Sequence, residues 1–187
     1  CMHGYFLKYL NNIYSCNCDG LEIDSFDNNS LKYNKINIYK EDLFNYSSNN
    51  INLNKYDFII LNHSLEHFEN PIMVIDSINK LLKPNGFCYI VVPNFKSKIS
   101  YLTKRFWGWL QPSVHYYHYN SSGLSKLFEK RNFKIFFTSN QGGDSIFILL
   151  TLYNLLSYIF NLKLQIYKNS YLKKILIKFS SLFMKYV

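Results

Sequence analysis

The sequence predicts an α/β protein built on a doubly wound, mostly parallel Rossmann-like sheet, incomplete, with a helical C-terminal segment. Three observations carry this reading. Continuous apolar runs stand at 58–61, 89–92 and 135–137. Runs without polar alternation suit strands covered on both faces, as parallel strands are. Segments of helical periodicity lie between them, and helices alternating with strands imply crossover connections.

In chain order, residues 5–13 read as an opening helix. Weaker strand patterns follow at 17–23 and 36–40, then a polar loop at 47–54 and the strand 58–61. The clearest helix covers 71–82. Asn70 suits its N-cap, and Pro71 suits the first helical position because its fixed φ is already helical. Ile72, Ile75, Ile78 and Leu82 then share one face. Lys83-Pro84-Asn85-Gly86 stops the helix and turns the chain into the strand 89–92. A helix over 122–130 would bury Leu124, Leu127 and Phe128 ahead of the strand 135–137. These elements assign residues 1–143 to one domain and 144–187 to a helical tail or lid. No internal repeat interrupts the order.

The 187 residues suffice for one domain with a core. Hydrophobic residues make up 48% and aromatics 19%, against 7 glycines and 4 prolines, which excludes disordered, collagen-like and linker classes. Four cysteines are too few for a disulfide scaffold and read as reduced thiols of a cytoplasmic protein. The net charge of +9 is uneven: residues 145–187 hold six lysines and no acid. A basic terminal segment suits a membrane surface or an acidic partner. Its lysines are interleaved with apolar residues rather than set along a groove, so no nucleic-acid partner is expected.

The opening Cys1-Met2-His3-Gly4-Tyr5-Phe6-Leu7 has the form of a glycine turn entering a helix. Glu22 follows eighteen residues after Gly4, at the end of a strand, and Asp42 follows the next strand. A glycine lets backbone approach a ligand, and a carboxylate about 20 residues on accepts hydrogen bonds from ribose hydroxyls.

These residues, together with Asn62-His63-Ser64-Leu65-Glu66-His67-Phe68-Glu69-Asn70-Pro71, Leu81-Leu82-Lys83-Pro84-Asn85-Gly86-Phe87 and Val92-Pro93-Asn94, resemble class I S-adenosylmethionine-dependent methyltransferases. The branch with an LEH segment after the fourth strand, LKPGG before the fifth and PN after it is the most similar. It includes quinone-type and many sugar- or lipid-linked O-methyltransferases. His115-Tyr116-Tyr117-His118-Tyr119-Asn120 and Arg131-Asn132-Phe133 fit the same branch, and the resemblance covers residues 1 to about 143. It implies a strand and an acid-x-Gly ahead of Cys1 and a closing strand beyond Lys185. A domain trimmed at both ends is therefore the expectation.

Carried over residue by residue, the resemblance implies that Cys1, Gly4 and the neighbouring backbone face the methionine part of S-adenosylmethionine. Glu22 would hold the ribose, Ile23 would pack on the adenine, and Asp42 and Leu43 would border it. Asn62 and His63 would lie near the sulfonium and the acceptor. The implied reaction is O-methylation of a small or lipid- or sugar-linked acceptor. For a hydroxyl acceptor a base assists; His115 is the first candidate, with His63 and His118 behind it.

Two other readings compete. His63-Ser64-Leu65-Glu66-His67 matches the H-x-x-E-H of inverted zinc peptidases. That motif needs both histidines on one helical face. Here the segment is squeezed between a strand and Asn70-Pro71, so a loop is expected, without a metal. Cys16 and Cys18 lack a second cysteine pair at zinc spacing. The non-enzyme reading is a methyltransferase-like module whose basic tail docks to a membrane or partner. In that tail, 145–160 is apolar but shorter than the about 20 residues of a spanning helix. Residues 171–186 are amphipathic, either a lid or an interfacial helix in peripheral membrane contact.

Overall fold

A computed structural model describes residues 4–23, 35–140 and 150–158, with 153 and 157 excepted. Its main elements are α1 (Tyr5–Tyr14), β1 (Cys18–Leu21), β2 (Ile36–Tyr39), α2 (Leu43–Ser48), β3 (Tyr56–Asn62), α3 (Pro71–Leu81), β4 (Leu82–Val91), α4 (Lys98–Thr103) and α5 (Ser121–Glu129). They fall into two compact units, one drawn from 1–60 and 72–89, the other from 61–71 and 90–187.

In the first unit β1 and β2 pair in parallel, from Cys18 opposite Ile36 to Leu21 opposite Tyr39. The ladder runs one bond further at each end, through Cys18 N to Lys35 O and Glu22 N to Tyr39 O. Helix α1 packs on both strands. β3 pairs with β4 in a second two-stranded sheet. Lys55 N donates to Leu81 O at one end, and His63 N donates to Val91 O at the other. The partners advance in the same direction, so this pair is parallel too, and α3 is its crossover.

α3 supplies the core. Val74, Ile75 and Ile78 are fully buried, with Leu81 and Leu82 nearly so. Ile72, expected on that face, is 40% exposed. The inward stripe runs through 74, 75, 78, 81 and 82, and Ile72 sits beyond its edge in the first turn. The expected turn at 83–86 lies inside β4. Asn85 takes a left-handed φ of 64° there. A Cβ on Gly86 would stand 3.0 Å from Leu82 Cδ2 and 3.2 Å from Tyr56 O, so a larger residue would have to push β3 or Leu82 aside by a few tenths of an ångström. The expected loop 47–54 is largely helical: it holds the end of α2 and a 3-10 turn, Asn50–Asn52. Asp42 explains the difference, since its carboxylate caps α2 and satisfies amides that a loop would leave to water.

A polar cluster joins β1, β2, α2 and β3. Tyr56 Oη donates to Asp19 Oδ2 at 2.7 Å, Lys55 Nζ pairs with the same oxygen at 2.8 Å, and Asn37 Nδ2 donates to Oδ1 at 2.8 Å. The Tyr46 and Tyr56 hydroxyls hydrogen-bond to each other, and Lys55 also donates to Tyr46 Oη at 3.0 Å. Burial by itself would raise the Asp19 carboxyl, but these hydrogen bonds outweigh it and hold the group below its ordinary value.

In the second unit Leu65, Trp107, Tyr119 and Phe128 are buried. Asn94 bridges in parallel to Tyr119. Asn120 Oδ1 caps α5 by accepting from Gly123 N at 3.0 Å. The expected strand 135–137 does not form: 133–140 is irregular, and Phe136 and Phe137 are more than 70% exposed. An apolar run becomes a strand only where a neighbouring ladder takes up its amides and carbonyls, a condition that composition does not report. Residues 150–152 and 154–156 are helical, and Thr151 Oγ1 accepts from Gly108 N at 2.7 Å. No helix among the described residues is long and apolar enough to cross a membrane. Cys1, the stretch 159–187 and hence the amphipathic pattern at 171–186 lie outside the described residues.

Candidate active site

Gly4 is buried at the N-cap of α1, with φ 66° and ψ 11°. That left-handed conformation is open to glycine at no steric cost. Its carbonyl accepts from Lys8 N at 2.9 Å and starts the helix. α1 runs into β1 through only three residues and packs on it, so the Gly4 end of the helix lies toward the carboxyl edge of β1.

The same edge carries the two acids. Glu22 directly follows β1, and Asp42 follows β2 by three residues. Parallel pairing forces both strands to end on the same side, which is where open α/β sheets take ligands. Ile23, next to Glu22, is 68% exposed. Leu43 is half-buried at the first position of α2. Asp42 has work already: its Oδ1 accepts from Phe44 N at 2.8 Å and Asn45 N at 2.9 Å, and its Oδ2 from Asn45 Nδ2 at 2.6 Å. A carboxylate has about four lone-pair sites, so one remains for a further donor.

The histidines gather in the second unit. Asn62 ends β3, and His63 follows with φ 50°. Leu65–His67 is a short 3-10 turn, so the H-x-x-E-H segment is a turn rather than an α-helix, as its position between a strand and Asn70-Pro71 predicts. The His63 ring stacks on Trp109 at 4.5 Å between centroids. Its Nδ1 lies 3.6 Å from Oε1 of Glu66, which is 1% exposed. Among the described residues neither Glu66 carboxylate oxygen finds a hydrogen-bond donor.

The segment 111–119 is clasped onto this turn. Tyr116 N donates to Glu66 O at 2.9 Å, His67 Nδ1 donates to Val114 O at 2.9 Å, and Tyr116 Oη donates to Glu69 Oε1 at 2.9 Å. His115 is buried and its Nδ1 donates to Trp109 O at 3.0 Å. Burial, with His67 beside it, pushes the His115 imidazole below its ordinary value. His118 stacks on Phe95 at 5.6 Å.

The structure thus brings Gly4, Glu22 and Asp42 toward one sheet edge, and His63 and His115 into one aromatic cluster. Trp109 and the proximity of Glu66, His67 and His115 were not legible in the sequence. The H-x-x-E-H match marked two of those three residues, but nothing in the spacing marked His115 as their neighbour. The C-x-C pair brings Cys16 and Cys18 Sγ within 3.6 Å. Burial, and then Cys16, push the Cys18 thiol up to about 11.

The sequence model of a family described as methyltransferase domain matches residues 1–136. The chain belongs to that family, and its methyl donor is S-adenosylmethionine. Among solved structures it is similar to a SAM-dependent methyltransferase from Archaeoglobus fulgidus, with a TM-score of 0.55 at 17% identity, over 83% of this chain and 75% of that one. That likeness carries the fold, a Rossmann-like α/β architecture. No curated protein matches the chain. The residues fit the donor: a buried left-handed glycine and two carboxylates toward one edge offer close backbone and acceptors for a nucleoside's hydroxyl and amino groups.

Proposed function

We propose that the chain moves the methyl group to an oxygen of a small or lipid- or sugar-linked acceptor, with His63 as the proton acceptor. The observation that carries this is the position of His63. Its side chain is 32% exposed, it directly follows β3, and it is stacked against Trp109 with Nδ1 toward the buried Glu66. A partly exposed imidazole at the end of a strand can accept the proton that a hydroxyl gives up. His115 is 6% exposed, which leaves it less room to meet an acceptor.

In this reading Gly4 backbone, Glu22 and Asp42 hold the donor by its methionine end, ribose and adenine, with Ile23 and Leu43 against the ring. The bound donor supplies an already activated methyl on its sulfonium. The protein's part is positioning of the acceptor oxygen in line with that methyl, and removal of the hydroxyl proton to His63. The +6 carried by residues 145–187 supports a lipid-linked or anionic acceptor brought to a surface.

Calorimetry with S-adenosylhomocysteine tests the donor site. Binding that weakens about tenfold or more in Glu22→Ala is expected, since hydrogen bonds to a charged group contribute about 1.5–3 kcal/mol. Absence of heat with the unaltered chain overturns the donor site. A radiolabelled-methyl assay over hydroxyl and amine acceptors tests the rest. His63→Gln should lower kcat and leave S-adenosylhomocysteine binding unchanged. Transfer confined to amines overturns the O-methylation.

A further inference from the structure

We propose that Glu66, His67 and His115 form a binding site for a divalent transition-metal ion of the zinc class. One ligand atom from each residue lies within 4.8 Å of the others. Ligands around a tetrahedral zinc ion stand roughly 3.4 Å apart at bond lengths near 2.1 Å. Side-chain movements of about an ångström close the cluster onto an ion.

Two independent features point to a cation. The first is Glu66. It is 1% exposed, yet among the described residues neither of its carboxylate oxygens finds a hydrogen-bond donor. Its one ion-pair neighbour among the described residues, His63 Nδ1, is 3.6 Å away, outside hydrogen-bonding range. A buried carboxylate without donors is costly, and a metal ion removes that cost. The second is the pair of tautomers. His67 Nδ1 donates to Val114 O and His115 Nδ1 donates to Trp109 O. Both imidazoles therefore carry the proton on Nδ1 and keep the lone pair on Nε2. Metal-binding histidines are oriented in this way, by giving the other ring N–H to a carbonyl or carboxylate.

Two imidazole nitrogens and one carboxylate oxygen suit zinc and its neighbours rather than magnesium or calcium, which prefer all-oxygen sets. Three protein ligands leave a fourth position for water or another oxygen. The set differs from the H-x-x-E-H pattern, because His63 is not a ligand: the donors are Glu66 and His67 from the turn and His115 from the clasped segment. Engagement of His115 Nε2 by the ion also leaves His63 as the histidine free to act as a base.

The test uses the full chain, stripped by chelator and re-equilibrated with zinc, with cobalt as a spectroscopic substitute. About one zinc per chain is expected, with cobalt bands of nitrogen and oxygen ligation and no thiolate charge transfer. His67→Gln, at an exposed position, should lose the ion while keeping the circular dichroism of the metal-free chain. The Cys16→Ser/Cys18→Ser variant should keep it. Zinc below about a tenth per chain, retention in His67→Gln, or a thiolate band on the unaltered protein would each overturn the site. The cobalt spectrum decides the matter even if a variant fails to fold. None of these readouts depends on S-adenosylhomocysteine binding, so the site stands or falls apart from the donor-site reading.

Discussion

At the scale of single residues, Asp42 shows how one side chain serves both the fold and the candidate site. It caps α2 through two hydrogen bonds, from Phe44 N and Asn45 N, holds Asn45 Nδ2 as well, and ends up on the edge that carries Glu22. Asp42→Ala should cost about 1 kcal/mol in urea unfolding through loss of the cap. Asp42→Asn keeps the cap and should unfold with nearly unchanged midpoint. If both variants weaken S-adenosylhomocysteine binding, the charge at this position matters to the donor; if only Asp42→Ala does, the cap is what matters. Gly4 is the sharper case. An alanine at φ 66° carries a penalty of about 1 kcal/mol, so Gly4→Ala should lower the thermal midpoint by a few degrees. The glycine, the acids and the histidines were all readable as residue types. Asp42's capping role and the stacking of His63 on Trp109 were not, because both depend on where the backbone places a neighbour.

At the scale of elements, helices with strong local signals lay where the sequence put them. α3 starts at Pro71 and α5 follows Asn120, because a fixed φ and a side-chain cap act within a few residues. Strands were less legible. The runs 58–61 and 89–92 became β3 and β4, while 135–137, equally apolar, stayed irregular. The Asp19 cluster joins four elements and carries a pH dependence. Asp19 is held below its ordinary value in the folded state, so its contribution is present above the unfolded carboxylate value of about 3.9. It is lost as pH falls through the lower folded value. Stability to urea should therefore change little between pH 7 and 5 and drop below about pH 4, and Asp19→Asn should flatten that part of the profile. A profile of unchanged shape in the variant would assign the acid sensitivity to other carboxylates.

At the scale of the whole molecule, residues 145–187 carry +6 of the net charge of +9, on lysines that lie outside the described residues. If that stretch meets membranes, the chain should sediment with anionic liposomes at low salt and be released as ionic strength rises, since screening shortens the reach of its lysines. Failure to sediment at low salt removes membrane contact from the proposed function. The sequence by itself determined the class: alternating helices and apolar runs, a glycine turn with two acids at nucleotide spacing, and LEH and PN segments with near-LKPGG spacing at their places. Those signals are local, and local chemistry survives reading in one dimension. Only the tertiary structure decided which side chains meet. Parallel pairing of β1 with β2 sends Glu22 and Asp42 to one edge. The clasp of 111–119 on the turn after β3 buries the Glu66 carboxylate without a donor among the described residues and sets His67 and His115 beside it. Contacts between residues so far apart in the chain follow from ladder register and burial, which no spacing along the sequence encodes.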